Sequence, residues 1–254
     1  LSGDHETVQT ASPWLSPAVH ALREELFLAA LDLHRAFIDF NAEAVENNLR
    51  CMMLALVNGL PQDGYVRSYW PHMWSTLCLV VPVVSTTFAS VNAMFAAAPR
   101  GENIAWLLVD EAGQATPQAA VGAVMRSRTA VVVGDPLQIE PVVTLPSELV
   151  RAIADSFSVD ADTWTAPSAS AQVLADRASA VTGKAGSGGA VRTVGMPLLV
   201  HRRCLDPMFS ISNQVAYGGA MVYRTAAYPD DLVTHALGPS RWLDVDVEAD
   251  HRSK

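Results

Sequence analysis

The sequence has few charged residues, and its net charge is negative rather than positive. Charged residues make up 17% of the 254 positions and hydrophobic residues 50%, so we expect a large buried core and no extensive disorder. The net charge of −9 argues against a protein that binds nucleic acid through overall basicity. A local basic groove stays open as an alternative.

The sequence also has few cysteines and no long apolar run. The three cysteines lack CxxC spacing, which indicates a reducing, cytoplasmic setting without structural disulfides or zinc. The longest apolar run, residues 77–84, is interrupted by Pro82 and falls short of the ~18 residues of a membrane span. The chain lacks a signal-peptide pattern and begins with Leu1 rather than Met, so we interpret it as a segment of a longer polypeptide.

Two apolar runs that end in acidic residues stand out in the middle of the chain. Residues 104–109 precede Asp110-Glu111, and residues 129–133 precede Gly134-Asp135. Such runs without polar alternation predict parallel strands buried on both faces, and residues 117–126 predict the crossover helix between them. Because ligands of open α/β sheets bind at the carboxyl ends of the strands, we expect both acidic clusters at one edge. This pattern is typical of a nucleotide site.

The hydrophobic pattern and the composition divide the chain into four segments. They are a helical hairpin (1–75), an α/β segment (76–158), a linker or mobile insertion rich in Ala, Ser and Gly (159–194), and the start of a second α/β segment (195–254). The predicted helices cover residues 19–40, 42–57, 88–98, 147–157 and 207–217, and further strands cover 76–84, 198–200 and 242–247. We expect the hairpin to pack beside the sheet through one apolar stripe on each helix.

Several of these residues suit the hydrolysis of a nucleoside triphosphate, which needs few protein groups. Asp110 and Glu111 could hold Mg²⁺ and orient the attacking water, because Mg²⁺ prefers one or two carboxylates and keeps several waters. Gln138 could reach the γ-phosphate, and Gly134 would allow close backbone approach. Arg203 is the candidate cation, since a planar guanidinium matches phosphate oxygens. The alternatives are an ordinary exposed strand end for the acids and a structural ion pair for Arg203.

These residues lie in strings that resemble a known family. VDEAGQA and VVVGDPLQIEPV resemble motifs II and III of superfamily-one helicases, in the branch that includes the nonsense-mediated-decay helicase, and PLLVHRRCLDPMFSISNQVAYGGAMV resembles their motif IV. The resemblance implies an α/β, RecA-like parallel sheet of the P-loop NTPase type. Residues 76–158 would be the second half of a first RecA-like domain, and residues 195–254 the start of another. It also implies ATP and Mg²⁺ as cofactors and single-stranded DNA or RNA as the partner.

Carried over position by position, the resemblance gives each motif residue a role. Asp110 becomes the acid that holds Mg²⁺ through water, Glu111 the base that activates water, Gln138 the motif III sensor and Arg203 the motif IV arginine. These four are the expected catalytic residues.

The same resemblance implies further contacts. Gln114 falls on the glutamine of motif II, and Gly134 and Asp135 open motif III, so we expect these three near the nucleotide. The segment Ser85-Thr86-Thr87 resembles motif Ic, which touches the phosphates of a single strand. Capping of the next helix is the local alternative for these hydroxyls. Trp70 and Trp74 could stack on bases, although burial in a core is the favoured interpretation.

The sequence departs from the family pattern in three places. Ile139-Glu140 replaces the usual Leu and Pro of motif III, and His201-Arg202 replaces Gln-Tyr before the arginine. No GxxxxGK[ST] loop occurs, since Ala185 follows Gly183-Lys184 where Ser or Thr would hold Mg²⁺. We therefore predict a helicase or translocase whose isolated 254-residue segment binds ATP weakly and does not hydrolyse it. A catalytically silent scaffold of the same fold, or the NTPase motor of a fused nuclease, are the alternatives.

Overall fold

The computed structural model describes residues 4–12, 15–96, 104–135, 137–186, 188, 191–226 and 238. The chain divides into two compact units, of which one comprises Ala11–Leu198 and the other combines Leu1–Thr10 with Leu199–Lys254.

The described residues form a mixture of helices and short strands. In chain order the helices are α1 (His5–Thr10), α2 (Pro17–Phe40), α3 (Ala42–Asn58), α4 (Gly64–Ser68), α5 (Trp70–Val80), α6 (Phe88–Met94), α7 (Pro117–Val124), α8 (Ser147–Ser156), α9 (Ala161–Trp164), α10 (Ala171–Ala178) and α11 (Met208–Tyr217). The strands are β1 (Ile104–Val109), β2 (Ser127–Val132), β3 (Gly183–Ala185), β4 (Arg192–Val194), β5 (Val200–His201) and β6 (Val222–Tyr223). A 3₁₀ turn, Ala112–Gln114, follows β1.

The two long helices predicted near the start of the chain are present as α2 and α3. The Ser16 side chain accepts a hydrogen bond from the Val19 N–H at 3.3 Å, and Pro17 suits the first helical position, so the start of α2 is well capped. Gly59 ends α3 at a φ of +85°. The apolar stripe of α2 is wrongly predicted to be inward, because none of its residues is buried. In α3 the buried residues are Val45 and Met52.

The strand predicted over residues 76–84 is wrong, because these residues belong to helix α5 and to the extended segment after it. An apolar run of this length has no period that separates a strand from a buried helix. Pro82 lacks an N–H and restricts the residue before it, which accounts for the helix ending at Val80. Trp70 and Trp74, one turn apart, are buried against Met52, and both indole N–H groups donate to the Met94 carbonyl at 2.8 and 3.1 Å. Their predicted burial in a core is confirmed.

Strands β1 and β2 pair in parallel, as predicted, with α7 as their crossover. The register runs from Ile104 opposite Ser127 to Val109 opposite Val132. One face of the pair, through Leu107 and Val109, packs in a core with α7 and α10. On the other face Trp106 and Leu108 are 65% and 70% exposed, so the predicted burial on both faces is wrong. Within the described ranges this sheet has two strands.

Residues 159–194, predicted to be a linker or mobile insertion, contain packed elements. Helix α10 is capped by the Ser170 side chain, which accepts from the Val173 N–H at 3.2 Å, and the Ala171 N–H donates to the Ala115 carbonyl at 2.9 Å. The antiparallel hairpin β3–β4 follows α10. The linker interpretation is therefore corrected for α10, which joins the core beside β1 and β2. The composition of the whole segment, rich in Ala, Ser and Gly, predicts a linker, whereas α10 buries Ala171, Gln172 and Asp176.

The second unit is built on the parallel pair β5 and β6, joined by α11. Phe209 of α11 packs its ring against His201 and Tyr223, with centroid distances of 5.1 and 4.9 Å. Gly218 ends α11 in the left-handed conformation at φ +60°, as the Gly-Gly pair predicted. The strand predicted over residues 242–247 lies outside the described residues. None of the helices in the described ranges has the length and apolar content that a bilayer crossing requires.

Candidate nucleotide site

The carboxyl ends of β1 and β2 lie side by side, and this fixes the location of the acidic residues. Pairing continues beyond the strands, because the Val133 N–H donates to the Val109 carbonyl at 2.8 Å and the Ala112 N–H donates to the Val133 carbonyl at 3.0 Å. Asp110 and Gly134 therefore follow the two strands at the same edge of the sheet. We call residues 110–114 of the first loop and residues 134, 135, 137 and 138 of the second the acidic rim.

The two loops of the acidic rim are in backbone contact through two glycines. A Cβ at Gly113 would lie 2.8 Å from the carbonyl oxygen of Asp135, and a Cβ at Gly134 would lie 2.8 Å from the amide nitrogens of both Ala112 and Gly113. Such contacts are closer than side chains allow, so both positions require glycine. The sequence predicted close approach at Gly134, and the structure shows that the neighbouring loop is what approaches it.

Glu111 adopts a backbone conformation that is rare for residues other than glycine. Its φ and ψ are +52° and +39°, which costs about 1–2 kcal/mol relative to an ordinary conformation. The Asp110 carboxylate accepts the Glu111 N–H at 3.0 Å, and the Gln114 amide donates to the Glu111 carboxylate at 3.3 Å. Both carboxylates are exposed at the rim. Left-handed non-glycine residues concentrate at functional sites, where the surrounding structure holds them.

On the second loop, Asp135 orients the residues that follow it. Its carboxylate accepts the Leu137 N–H at 2.9 Å and the Gln138 side-chain amide at 2.9 Å. The Gln138 N–H also donates to the Asp135 carbonyl, at 3.3 Å. Gln138 is exposed and is held on the loop that contacts Gly113. Each loop thus pairs one acid with one glutamine.

Other predicted site residues lie elsewhere in the chain. Arg203 belongs to the unit that contains α11, where it is exposed in the turn between β5 and α11. His201 closes that turn, because its Nε2 accepts the Cys204 N–H at 2.7 Å. Across the described part of the chain, no group of three His, Cys, Asp or Glu side chains could hold a metal ion.

Ser85, Thr86 and Thr87 are exposed in the extended segment between α5 and α6, rather than after a strand. Thr87 is the N-cap residue of α6, and its hydroxyl donates to the Ser90 hydroxyl at 3.3 Å. Their predicted placement at a strand end is wrong because α5 replaces that strand.

Sequence reasoning missed two buried polar residues behind the acidic rim. Gln172 and Asp176 of α10 are 8% and 7% exposed, and the Gln172 amide donates to Asp176 at 2.9 Å. Asp176 also accepts the Gly195 N–H at 2.8 Å. The Gln172 carbonyl oxygen is buried without a partner and faces Gly134, where an added Cβ would lie 3.0 Å from it. The sequence pattern that could have located them is Ser170, a suitable N-cap, followed by residues with the spacing of an amphipathic helix.

Residues 73–145 match the family model described as AAA domain. The match includes most of α5, strands β1 and β2 and the acidic rim, whereas Arg203 lies outside it. Over these residues the match supports a superfamily-one helicase-type domain, of the helicase-like P-loop NTPase class. Searches of curated proteins and of solved structures each found no match.

Proposed function

We propose that this chain is part of an ATP-dependent motor that moves along single-stranded nucleic acid, related to the nonsense-mediated-decay branch of superfamily-one helicases. The observation that carries the proposal is the continued pairing of β1 and β2, which brings Asp110, Glu111 and the Gln138 loop to one edge within the matched residues. Edges of this kind bind nucleotides in parallel α/β sheets.

In this proposal the two acids of the first loop divide the chemistry. Mg²⁺ would neutralise charge on the phosphates, and the exposed oxygens of Asp110 fit a cation that keeps several waters. Glu111 orients the attacking water and accepts its proton. Gln114 holds the Glu111 carboxylate in position through its amide, at 3.3 Å. The left-handed backbone of Glu111 turns the chain out of the direction of β1 at this residue.

The second loop and the second unit supply the remaining roles. Gln138 senses the γ-phosphate, with its amide group oriented by Asp135, and Gly134 and Asp135 lie near the nucleotide. Arg203 meets the charge that develops on the transferred phosphoryl group. Ser85, Thr86 and Thr87 contact phosphates of the strand, for which their exposure is suitable. The setting that we propose is cytoplasmic.

The test is ATP hydrolysis by the natural polypeptide that contains these residues, measured with and without single-stranded oligonucleotides. Hydrolysis that requires Mg²⁺ and rises when a strand is added supports a motor. Hydrolysis that a strand leaves unchanged contradicts the coupling, and absence of hydrolysis favours a silent scaffold. The 254-residue chain assayed alone should show no turnover, because it lacks a GxxxxGK[ST] loop.

A further inference from the structure

A cavity of about 500 Å³ lies beside the acidic rim, within the unit Ala11–Leu198. It is bounded by α10, by β4 and by the loop that continues from Gln138. Its polar lining is Glu140, Ser168, Asp176, Arg177, Arg192 and Thr193. The cavity is open to solvent and combines hydroxyls with two guanidinium groups, which is a donor set suited to an anion.

Two arginines line this cavity, and a lysine outside the lining contacts one of its hydroxyl groups. Arg177 and Arg192 line it, and Lys184, on the opposite strand of the hairpin, donates to the Thr193 hydroxyl at 2.6 Å. The Arg177 guanidinium is held in place, because it donates to the Thr163 carbonyl at 2.6 Å and lies 5.7 Å from the ring centroid of Trp164. Positioned guanidinium groups match the oxygens of a phosphate.

The two acids of the cavity do not oppose an anion equally. Asp176 is buried, and one of its carboxylate oxygens accepts hydrogen bonds from both Gln172 and Gly195, so it joins α10 to the end of β4. Glu140 is instead half-exposed and lies 4.0 Å from Arg192, which is an ion pair too exposed to be strong. Glu140 therefore competes with any anion for Arg192.

We infer that this cavity binds phosphate groups of a single-stranded nucleic acid, with Glu140 as the group that the phosphate displaces from Arg192. The inference rests on the proposed function, because it assigns the strand a contact site next to the Gln138 loop. Trp164 is half-exposed beside Arg177 and offers a ring on which a base can stack. The net charge of −9 makes such a local basic site necessary for strand binding.

The experiment measures binding of a fluorescein-labelled oligothymidylate, about 15 nucleotides long, to the 254-residue chain by anisotropy at several salt concentrations. Arg192→Gln and Lys184→Gln are each expected to weaken binding roughly threefold to tenfold, and to reduce the slope of log affinity against log salt by about 0.7. Glu140→Gln is expected to tighten binding by a similar factor, because it removes the competitor. The matched control is Arg50→Gln, which removes an exposed arginine of α3 that pairs with Glu46 at 2.6 Å and is not part of the cavity lining.

Each effect is compared with an equal change of charge elsewhere, since any electrostatic binding weakens when a cation is lost and tightens when an acid is lost. Arg50→Gln and Glu46→Gln, both on α3, provide these changes, and the inference requires clearly larger effects in Arg192→Gln and Glu140→Gln. Equal affinities for the wild-type chain, Arg192→Gln and Glu140→Gln would overturn the inference, as would no measurable binding of the strand by the wild-type chain at low salt. Inorganic phosphate is added as a competitor of the oligothymidylate. If phosphate displaces the strand although the variants bind that strand as tightly as the wild type does, the inference is also overturned. The ATPase test of the proposed function is independent of this one. A motor that lacks this site would hydrolyse ATP in response to a strand, whereas Arg192→Gln and Glu140→Gln would bind the strand as the wild type does.

Discussion

The carbonyl oxygen of Asp135 lies where a Cβ on Gly113 would come within 2.8 Å of it, so the two loops of the acidic rim touch through backbone atoms. Replacing Gly113 by alanine must push these loops apart, because the obstructing atom belongs to the backbone. We expect Gly113→Ala to lower the free energy of unfolding by about 1–3 kcal/mol. Chemical denaturation measures this change. Gly64→Ala is the control, since an added Cβ there meets nothing within 4 Å; equal effects at both positions would contradict the contact.

The left-handed conformation of Glu111 is expected to reduce stability. Glu111→Gly relieves the steric cost of the positive φ, so we expect the free energy of unfolding to rise by up to about 1 kcal/mol while any hydrolysis is lost. Glu148→Gly, in the first turn of α8, should instead destabilise by up to about 1 kcal/mol. Denaturation midpoints of both variants check this expectation. A loss of stability in Glu111→Gly as large as that in Glu148→Gly would contradict a strained backbone at Glu111, because the entropic cost of glycine is common to both variants.

Gln172 and Asp176 form a buried polar pair, and the direction in which an added charge would change the pH dependence of stability can be predicted. Gln172→Glu places a second carboxyl group 2.9 Å from Asp176, and both burial and the like charge raise the pKa of the new group in the folded state. The pKa of this new carboxyl group is then higher in the folded protein than in the unfolded chain. The variant therefore keeps its stability at a pH below the unfolded pKa, and loses it as the pH rises through the folded pKa.

We therefore expect Gln172→Glu to be destabilised far more at pH 8 than at pH 5, measured by thermal unfolding against the wild type. Gln118→Glu, an exposed substitution on α7, should show no comparable pH dependence. A Gln172→Glu protein with the stability of the wild type at pH 8 would mean that residue 172 is not buried beside Asp176.

Met52 and Met53 are neighbours in sequence with opposite environments. Met52 is fully buried against Trp70 and Trp74, whereas Met53 is 55% exposed. We expect Met52→Ala to cost about 2–5 kcal/mol of stability, and Met53→Ala less than about 0.5 kcal/mol. Denaturant titrations of the two variants compare them directly. Similar losses at both positions would argue against the packing of α5 on α3.

How much of this could be predicted from the sequence depended on the kind of pattern. The runs that end at Val109 and Val133 predict parallel strands, because neither alternates with polar residues and a short helix lies between them. The acidic residues then followed from the rule that parallel strands present their carboxyl ends together. The hydrogen bonds of Gln114 and Gln138 to acids in their own loops depend on side-chain geometry that no spacing specifies.

The errors also have physical causes. Helix α5 was mistaken for a strand, since a nine-residue apolar run around Cys78 fits either structure until Trp70 and Trp74 are seen to face Met52 one turn apart. Helix α10 does not stand out in the sequence, because its buried residues include the polar Gln172 and Asp176 and so give no apolar stripe. The cavity at Arg177 and Arg192 joins residues from separate elements, so only the structure brings them together.

The central claim is that Glu111 acts on the water that attacks ATP, and its most direct test is the turnover number of Glu111→Gln in the natural polypeptide. Because the amide keeps the shape of the side chain but cannot accept a proton, we expect kcat to fall by roughly 10²–10⁴ with little change in KM. Glu148→Gln, an exposed glutamate on α8, should retain wild-type turnover. Wild-type turnover in Glu111→Gln would contradict the account.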